Sequence, residues 1–166
     1  AYMAAQTSRP AQVMRPVIRG THWAAASMKP EATLAAERIL RAGGNAFDAI
    51  VAGQAVLGLT DAPNNGVGSD AVALIYEGRT GKVWSLNAEG TAPKLATIEW
   101  YRQNHKGTLP VDDTLLSGTV PGIVDAWYIL LDRWGTMSFG QALAPAIEMA
   151  GKGFPLNGRV ASAMPG

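Results

Sequence analysis

The side chains able to do chemistry are few and lie far apart. Asn64-Asn65-Gly66-Val67-Gly68-Ser69-Asp70 is a glycine-rich turn, with Gly66 and Gly68 free to take positive φ. Its successive backbone amides could cradle an anion or donate to a developing negative charge. A nucleotide loop of this kind ends in Gly-Lys-Ser/Thr and enters a helix. Here no such lysine follows, and Ala71 to Tyr76 are strand formers. A plain structural turn, a backbone-donor loop of an active site and a nucleotide site follow as readings, in that order. Glu89 comes directly after a strand-like run and before the Thr91-Ala92-Pro93 turn, where a carboxylate either lines a cleft or is simply solvated. Ser27, Ser69, Ser85 and Ser117 could be combined with His22 or His105 and an aspartate, but no Gly-x-Ser-x-Gly elbow supports a triad. Gly118-Thr119-Val120 could expose an N-terminal threonine by self-cleavage, yet Pro121-Gly122 reads more simply as the turn that starts a helix. Cysteine is absent, which excludes disulfides and thiolate chemistry, and two histidines are too few for a zinc site. Neither a metal nor a cofactor is expected.

Composition narrows the partners. Lys+Arg 14 against Asp+Glu 13 gives a net charge of +1, too weak a field to advertise nucleic acid or an anionic membrane. The charge is unevenly spread, because Arg9, Arg15, Arg19 and Lys29 all precede the first acid, Glu31. With Pro10, Pro16 and no sustained apolar period, residues 1–20 read as an extended basic arm. Hydrophobic residues make up 48% and charged ones 16% of the 166, which excludes a disordered chain. The longest apolar stretch, Ala46 to Leu59, is interrupted by Gly53, Gln54 and Gly58 and falls short of the roughly 18 residues of a membrane span. The compartment stays open between the cytoplasm and the periplasm or exterior.

The elements that must position these groups can be read from period and punctuation. Pro30 to Ala42 combines good helix formers with a proline in the first turn and Glu31 near the positive end of the dipole, and Gly43-Gly44 stops it. Asn45 and Asp48 form a capping-box pair opening a second helix through Ile50, Val51, Ala55, Val56 and Leu57. That helix is apolar on nearly every face and must be buried. Ala71–Tyr76 and Lys82–Leu86, separated by Glu77-Gly78-Arg79-Thr80-Gly81, predict an antiparallel hairpin. The first strand is apolar on both faces, so the sheet should be covered on both sides. Ile98–His105 is expected to be helical. Ile123, Trp127, Leu130, Leu131 and Trp134 form one helical stripe that Gly135 ends, with the two tryptophans as core. Ser138 and Gln141 make a second capping box, opening a helix through Leu143, Ile147 and Met149 that Gly151 and Gly153 close. Two helices, a hairpin and further helices give an α+β layering.

Taken in order, these motifs carry a family resemblance. Glu37-Arg38-Ile39-Leu40-Arg41-Ala42-Gly43-Gly44-Asn45-Ala46-Phe47-Asp48-Ala49 closely resembles a signature near the start of γ-glutamyltransferases (γ-glutamyltranspeptidases) and related acylases. Asn65 to Ala71 resembles the family's glycine-rich turn before a strand. Thr91-Ala92-Pro93 is similar to the tail of its Arg-Glu-x-Ala-Pro motif, and Val120-Pro121-Gly122 to its Val-Pro-Gly turn. Leu143-Ala144-Pro145-Ala146-Ile147 with Gly153-Phe154-Pro155 is similar to a further ordered pair. The resemblance implies an N-terminal-nucleophile hydrolase: a precursor folds as a four-layer αββα sandwich and cuts itself. A threonine at the new N-terminus of the small subunit then attacks amide bonds, with its own α-amine as base. Residues 21–166 would be the N-terminal portion of the large subunit, an incomplete part of that sandwich and inactive alone. Its partners would be the remainder of the large subunit and the small subunit.

The resemblance also implies the substrate-reading residues. Where the family usually has the arginine that grips a γ-glutamyl α-carboxylate, this chain has Glu89, and Gly90 stands at the neighbouring acid, followed by Thr91. A carboxylate repels a carboxylate. Ser69-Asp70, in a loop that is usually glycine-only in true transferases, also resembles a different branch. The expectation is an amidase or acylase whose substrates lack that α-carboxylate and carry an amine near Glu89. The rival is a noncatalytic interaction module that kept the scaffold.

Overall fold

The computed structural model describes residues 18–110, 115–156 and 158–163. All but the end of the arm expected over residues 1–20 lies outside them. In chain order the elements are α1 (Pro30–Arg41), α2 (Ala46–Thr60), β1 (Val72–Glu77), β2 (Lys82–Asn87), α3 (Ile98–His105), a 3-10 turn (Leu115–Ser117), α4 (Ile123–Trp134), α5 (Phe139–Lys152) and α6 (Gly158–Ala163).

The local signals act as expected. Pro30 sits in the first turn of α1, with Glu31 beside it and Arg38 and Arg41 in the last turn, matching the dipole at both ends. Gly43 takes a φ of 92°, a left-handed conformation that costs glycine nothing and stops the helix. Asn45 then accepts from the backbone N–H of Phe47 and Asp48, while the Asp48 carboxylate accepts from the N–H of Asn45 at 2.8 Å. The Ser138–Gln141 pair caps α5 in the same reciprocal way.

The core is built around α2, which packs against α1, α4 and α5. Val51 and Val56 are fully enclosed, with Ile123, Trp127, Leu130 and Leu131 of α4 in the same cluster, and Ala52, also fully enclosed, packs with Ala36 and Ile39 of α1. Gly53 lets α1 come close: a Cβ there would stand 3.2 Å from the Ala32 carbonyl oxygen. On α5 the buried residues are Ala142, Pro145 and Ala146, whereas Ile147, one of the residues through which the helix is expected to run, is exposed.

The hairpin pairs Val72 with Asn87 through to Glu77 with Lys82. Side chains alternate across a strand, so Ile75 and Leu86 share one face and pack into the core. Val72, Leu74, Tyr76 and Val83 share the other face, and Leu74 is 79% exposed. The expectation of a sheet covered on both sides is thus met on one side only. Among the described residues no element supplies the layer that the apolar outer face calls for.

Candidate functional site

Three loops that the sequence presents as separate meet at one end of the hairpin. The glycine-rich turn leads into β1, and residues 88–91 leave β2. Because β1 and β2 are antiparallel, their start and end are neighbours: Ala88 N–H donates to the Ala71 carbonyl at 2.8 Å, and Ala71 N–H returns to that of Ala88 at 3.4 Å. The third loop, residues 118–122, closes on both. The N–H groups of Gly122 and Ile123, orphan donors at the start of α4, converge on the Ser69 carbonyl at 3.2 and 3.1 Å, and Val120 N–H donates to the Thr91 carbonyl at 3.0 Å.

Two glycines make this approach possible. A Cβ on Gly90 would collide with the Val120 carbonyl oxygen and stand 2.5 Å from its carbon. One on Gly122 would collide with the Ala88 carbonyl oxygen and stand 3.0 Å from its carbon. Neither glycine has a positive φ, so the demand is for space rather than conformation. Gly66 and Gly68 likewise lack positive φ, contrary to expectation. Their turn is instead held by Ser69, whose N–H and hydroxyl both reach the Gly66 carbonyl, at 3.2 and 2.5 Å.

The start of that turn is fixed from below. Asp61, buried at the C-terminus of α2, pairs with Lys29 Nζ at 3.1 Å and accepts from the side-chain amides of Asn64 and Asn65. Asn65 Oδ1 in turn accepts from Gln54 of α2 at 3.1 Å. The loop is therefore tied to α2 and to the residue that precedes α1, not draped on the surface.

On this clamped frame sits Glu89. Its N–H donates to Asn87 Oδ1 at 2.9 Å, its side chain is exposed, and it forms no salt bridge among the described residues. Gly90 lies half-buried under it and Thr91 is exposed beside it. A cleft of about 410 Å³ opens next to the junction, between α3 and the 3-10 turn, with Ala92, Pro93, Arg102, Leu116 and Thr119 on its walls. The Tyr101 hydroxyl, bonded to the Leu116 carbonyl, fixes one side of that cleft.

Among the described residues no triad forms from the histidines. His22 meets the Thr21 hydroxyl at 2.8 Å, and the His105 ring lies tilted against those of Trp100 and Tyr101. Thr119 stays in the third loop, whose next residues open α4, as the simpler reading of Pro121-Gly122 required. Sequence reasoning missed the loop junction itself. Its signal was present as a glycine in each of two loops, but backbone carbonyls that act as partners leave no mark in a sequence.

The loops that converge carry the motifs of a known family. Residues 32–165 match the profile described as Gamma-glutamyltranspeptidase. The chain belongs to that family. It is 32% identical over 142 residues to the glutathione hydrolase proenzyme of Bacillus subtilis strain 168, covering 84% of this chain and 24% of that protein. It is 35% identical over 146 residues to the oxamate amidohydrolase proenzyme of Klebsiella pneumoniae, covering 86% of this chain and 28% of that one. The crystal structure of Helicobacter pylori γ-glutamyltranspeptidase superposes with a TM-score of 0.79 at 28% identity, over 89% of this chain and 42% of that chain. This γ-glutamyltranspeptidase-family chain thus spans about a quarter of the length of the relatives it matches, and its helices and hairpin are part of the family's α+β sandwich.

Proposed function

We propose that the chain forms the front part of the large subunit of a γ-glutamyltranspeptidase-like amidohydrolase or acyltransferase, with residues 21–166 walling the substrate pocket and the nucleophilic threonine lying elsewhere in the molecule. The threonine hydroxyl adds to the amide carbonyl and its proton passes to the threonine α-amine, whose unperturbed pKa is roughly 7.7–8.0. The tetrahedral adduct expels the amine, which takes that proton, and the acyl group is then handed to water or to a second amine. No residue of this chain reacts in those steps; its work is orientation.

Glu89 is the residue that reads the substrate, and the observation that carries this is its setting. It is an exposed carboxylate without a salt-bridge partner among the described residues, on a backbone clamped from two sides at the junction of the family's motif loops. A carboxylate there repels a γ-glutamyl α-carboxylate and attracts an ammonium, an interaction of about 1.5–3 kcal/mol when hydrogen-bonded. The substrate class is an amide with a cationic group and no carboxylate at that end. That relatives include a protein named an amidohydrolase agrees with amide hydrolysis on this scaffold.

The test uses the full-length precursor. On a denaturing gel it should split into two polypeptides, and the processed enzyme should prefer cationic amides to γ-glutamyl-p-nitroanilide. Efficient turnover of the γ-glutamyl substrate, undiminished in Glu89→Ala, would rule out the assignment of Glu89. A precursor that never splits and turns over no amide would favour the noncatalytic module.

A further inference from the structure

We propose that Gly90 is a positioning residue: by leaving room for the Val120 carbonyl it fixes the direction in which Glu89 faces the substrate, and any side chain at position 90 turns Glu89 away. The inference rests on reading Glu89 as the substrate-contacting carboxylate and adds what holds it there.

The geometry is that of a short bridge between two anchors. Ala88 is tied to Ala71 by a reciprocal pair of backbone hydrogen bonds, and the Thr91 carbonyl is tied to Val120 N–H. Only Glu89 and Gly90 lie between, and Glu89 N–H is held by Asn87 Oδ1. With both ends fixed, the peptide joining residues 89 and 90 can rotate only if a neighbour yields. On one side stands the Val120 peptide, whose nitrogen, carbon and oxygen all lie within 3.1 Å of the place where a Cβ of residue 90 would be. On the other side Gly122 packs against the Ala88 carbonyl, whose carbon would stand 3.0 Å from a Cβ of residue 122. These obstacles are backbone atoms, which cannot move aside by changing rotamer. A methyl at position 90 must therefore push the 118–122 loop off or rotate the 89–90 peptide, and each displaces the carboxylate of Glu89. A shift of about 1 Å at a substrate-orienting group can cost on the order of 10²-fold in turnover efficiency.

The experiment compares wild type, Gly90→Ala, Glu89→Gln and, as control, Gly140→Ala in the full-length processed enzyme. Position 140 has open space around a built Cβ and lies in the first turn of α5, away from the junction. The first readout is the ratio of kcat/KM for a cationic amide to that for its neutral isostere. The second is hydrogen exchange in the peptide containing Val120, whose N–H bridges to Thr91. Gly90→Ala should lower the ratio by about tenfold or more, chiefly by raising KM for the cationic amide. It should match Glu89→Gln in this respect, and it alone should speed exchange at Val120. Gly140→Ala should behave as wild type. A Gly90→Ala enzyme that keeps the ratio while Glu89→Gln loses it overturns the proposal, as does unchanged exchange at Val120. If Glu89→Gln itself leaves the ratio unmoved, the reading of Glu89 fails, and with it a role for Gly90 in aiming that residue, even where exchange shows the loops loosened. Should Gly90→Ala not fold, Gly122→Ala presses on the same segment from the other side: loss of the ratio supports the proposal, and a preserved ratio overturns it.

Discussion

The carboxylate of Asp48 accepts the backbone N–H of Thr136 at 3.0 Å, joining the first turn of α2 to the α4–α5 connection 88 residues later. It also takes the Thr136 hydroxyl at 2.7 Å, the Met137 N–H at 3.1 Å and the Asn45 N–H at 2.8 Å, and it is fully buried. One acid thus caps a helix and fastens the two ends of the core together. Asp48→Ala strands these donors out of reach of water and should destabilise the full-length protein by about 2–4 kcal/mol. Asp48→Asn keeps the volume but loses the charge-assisted bonds and should cost about 1–2 kcal/mol. Urea midpoints decide it; a change below about 0.5 kcal/mol for Asp48→Ala would mean the connection is held by something else.

The same carboxylate sets an acid limb. Burial pushes the Asp48 pKa up, but the Thr136 hydroxyl and the N–H groups of Asn45, Met137 and Thr136 outweigh it and hold the value below the ordinary 3.8. The folded state therefore releases this proton more readily than the unfolded chain does. Its stabilising share is complete above the unfolded value and is lost as the pH falls below 3.8 and through the folded one. Stability measured against pH should drop across that window in the wild type and more shallowly in Asp48→Asn. Parallel curves for the two proteins would contradict the assignment.

Asp48 also shows how far the sequence is legible. Its pairing with Asn45 is local, three residues apart, and so was readable, as were Pro30, Gly43 and the Ser138–Gln141 box. The helices α1 to α5 and the hairpin follow from such short-range chemistry and from apolar period, whereas the 3-10 turn at Leu115–Ser117 and the short α6 do not. The tie from Asp48 to Thr136 was not readable, because the Thr136 backbone N–H is the same in every sequence. Glu89 is legible as a carboxylate following a strand, and Gly90 and Thr91 through the resemblance to a family motif; Val120 is legible as part of a Val-Pro-Gly turn, but its contact with Gly90 and Thr91 is not, because it is made by backbone atoms. The outer face of the hairpin misled for another reason. Val72, Leu74 and Tyr76 are apolar, which predicts a cover, but which residues provide it depends on long-range topology that no local pattern encodes.

Lys29 offers a test of the lower clamp. It lies just before α1 and pairs with the buried Asp61 at 3.1 Å, so Lys29→Met would remove a cationic partner from a carboxylate that also accepts from the Asn64 and Asn65 side-chain amides. Removing one partner of a mostly buried pair costs more than the pair itself contributes. The expected loss is about 1–3 kcal/mol, with faster hydrogen exchange at Asn64 and Asn65, whose backbone N–H groups also bind Asp61. A stability change without any change at these amides would show that Lys29 acts on α1 and not on the glycine-rich turn.

The uncovered hairpin face makes the last prediction. Val72, Leu74, Tyr76 and Val83 stand on one side of a two-stranded sheet, 62%, 79%, 68% and 68% exposed. A hairpin of two strands is marginal in water without further sheet or packing. In the proposed reading, where these residues are the front part of a larger sandwich, an apolar sheet face of this kind packs against a further layer supplied from outside them. Two outcomes follow. The 166 residues expressed alone should bind a hydrophobic dye and self-associate, since among the described residues nothing covers the patch. In the full-length protein Leu74→Lys should cost about 2 kcal/mol or more, because it places an ammonium in an apolar layer, whereas the same change on a free surface stays within about 0.5 kcal/mol. A full-length Leu74→Lys protein with an unshifted urea midpoint would mean that the outer face of β1 stays in water and that the chain's partner layer packs elsewhere.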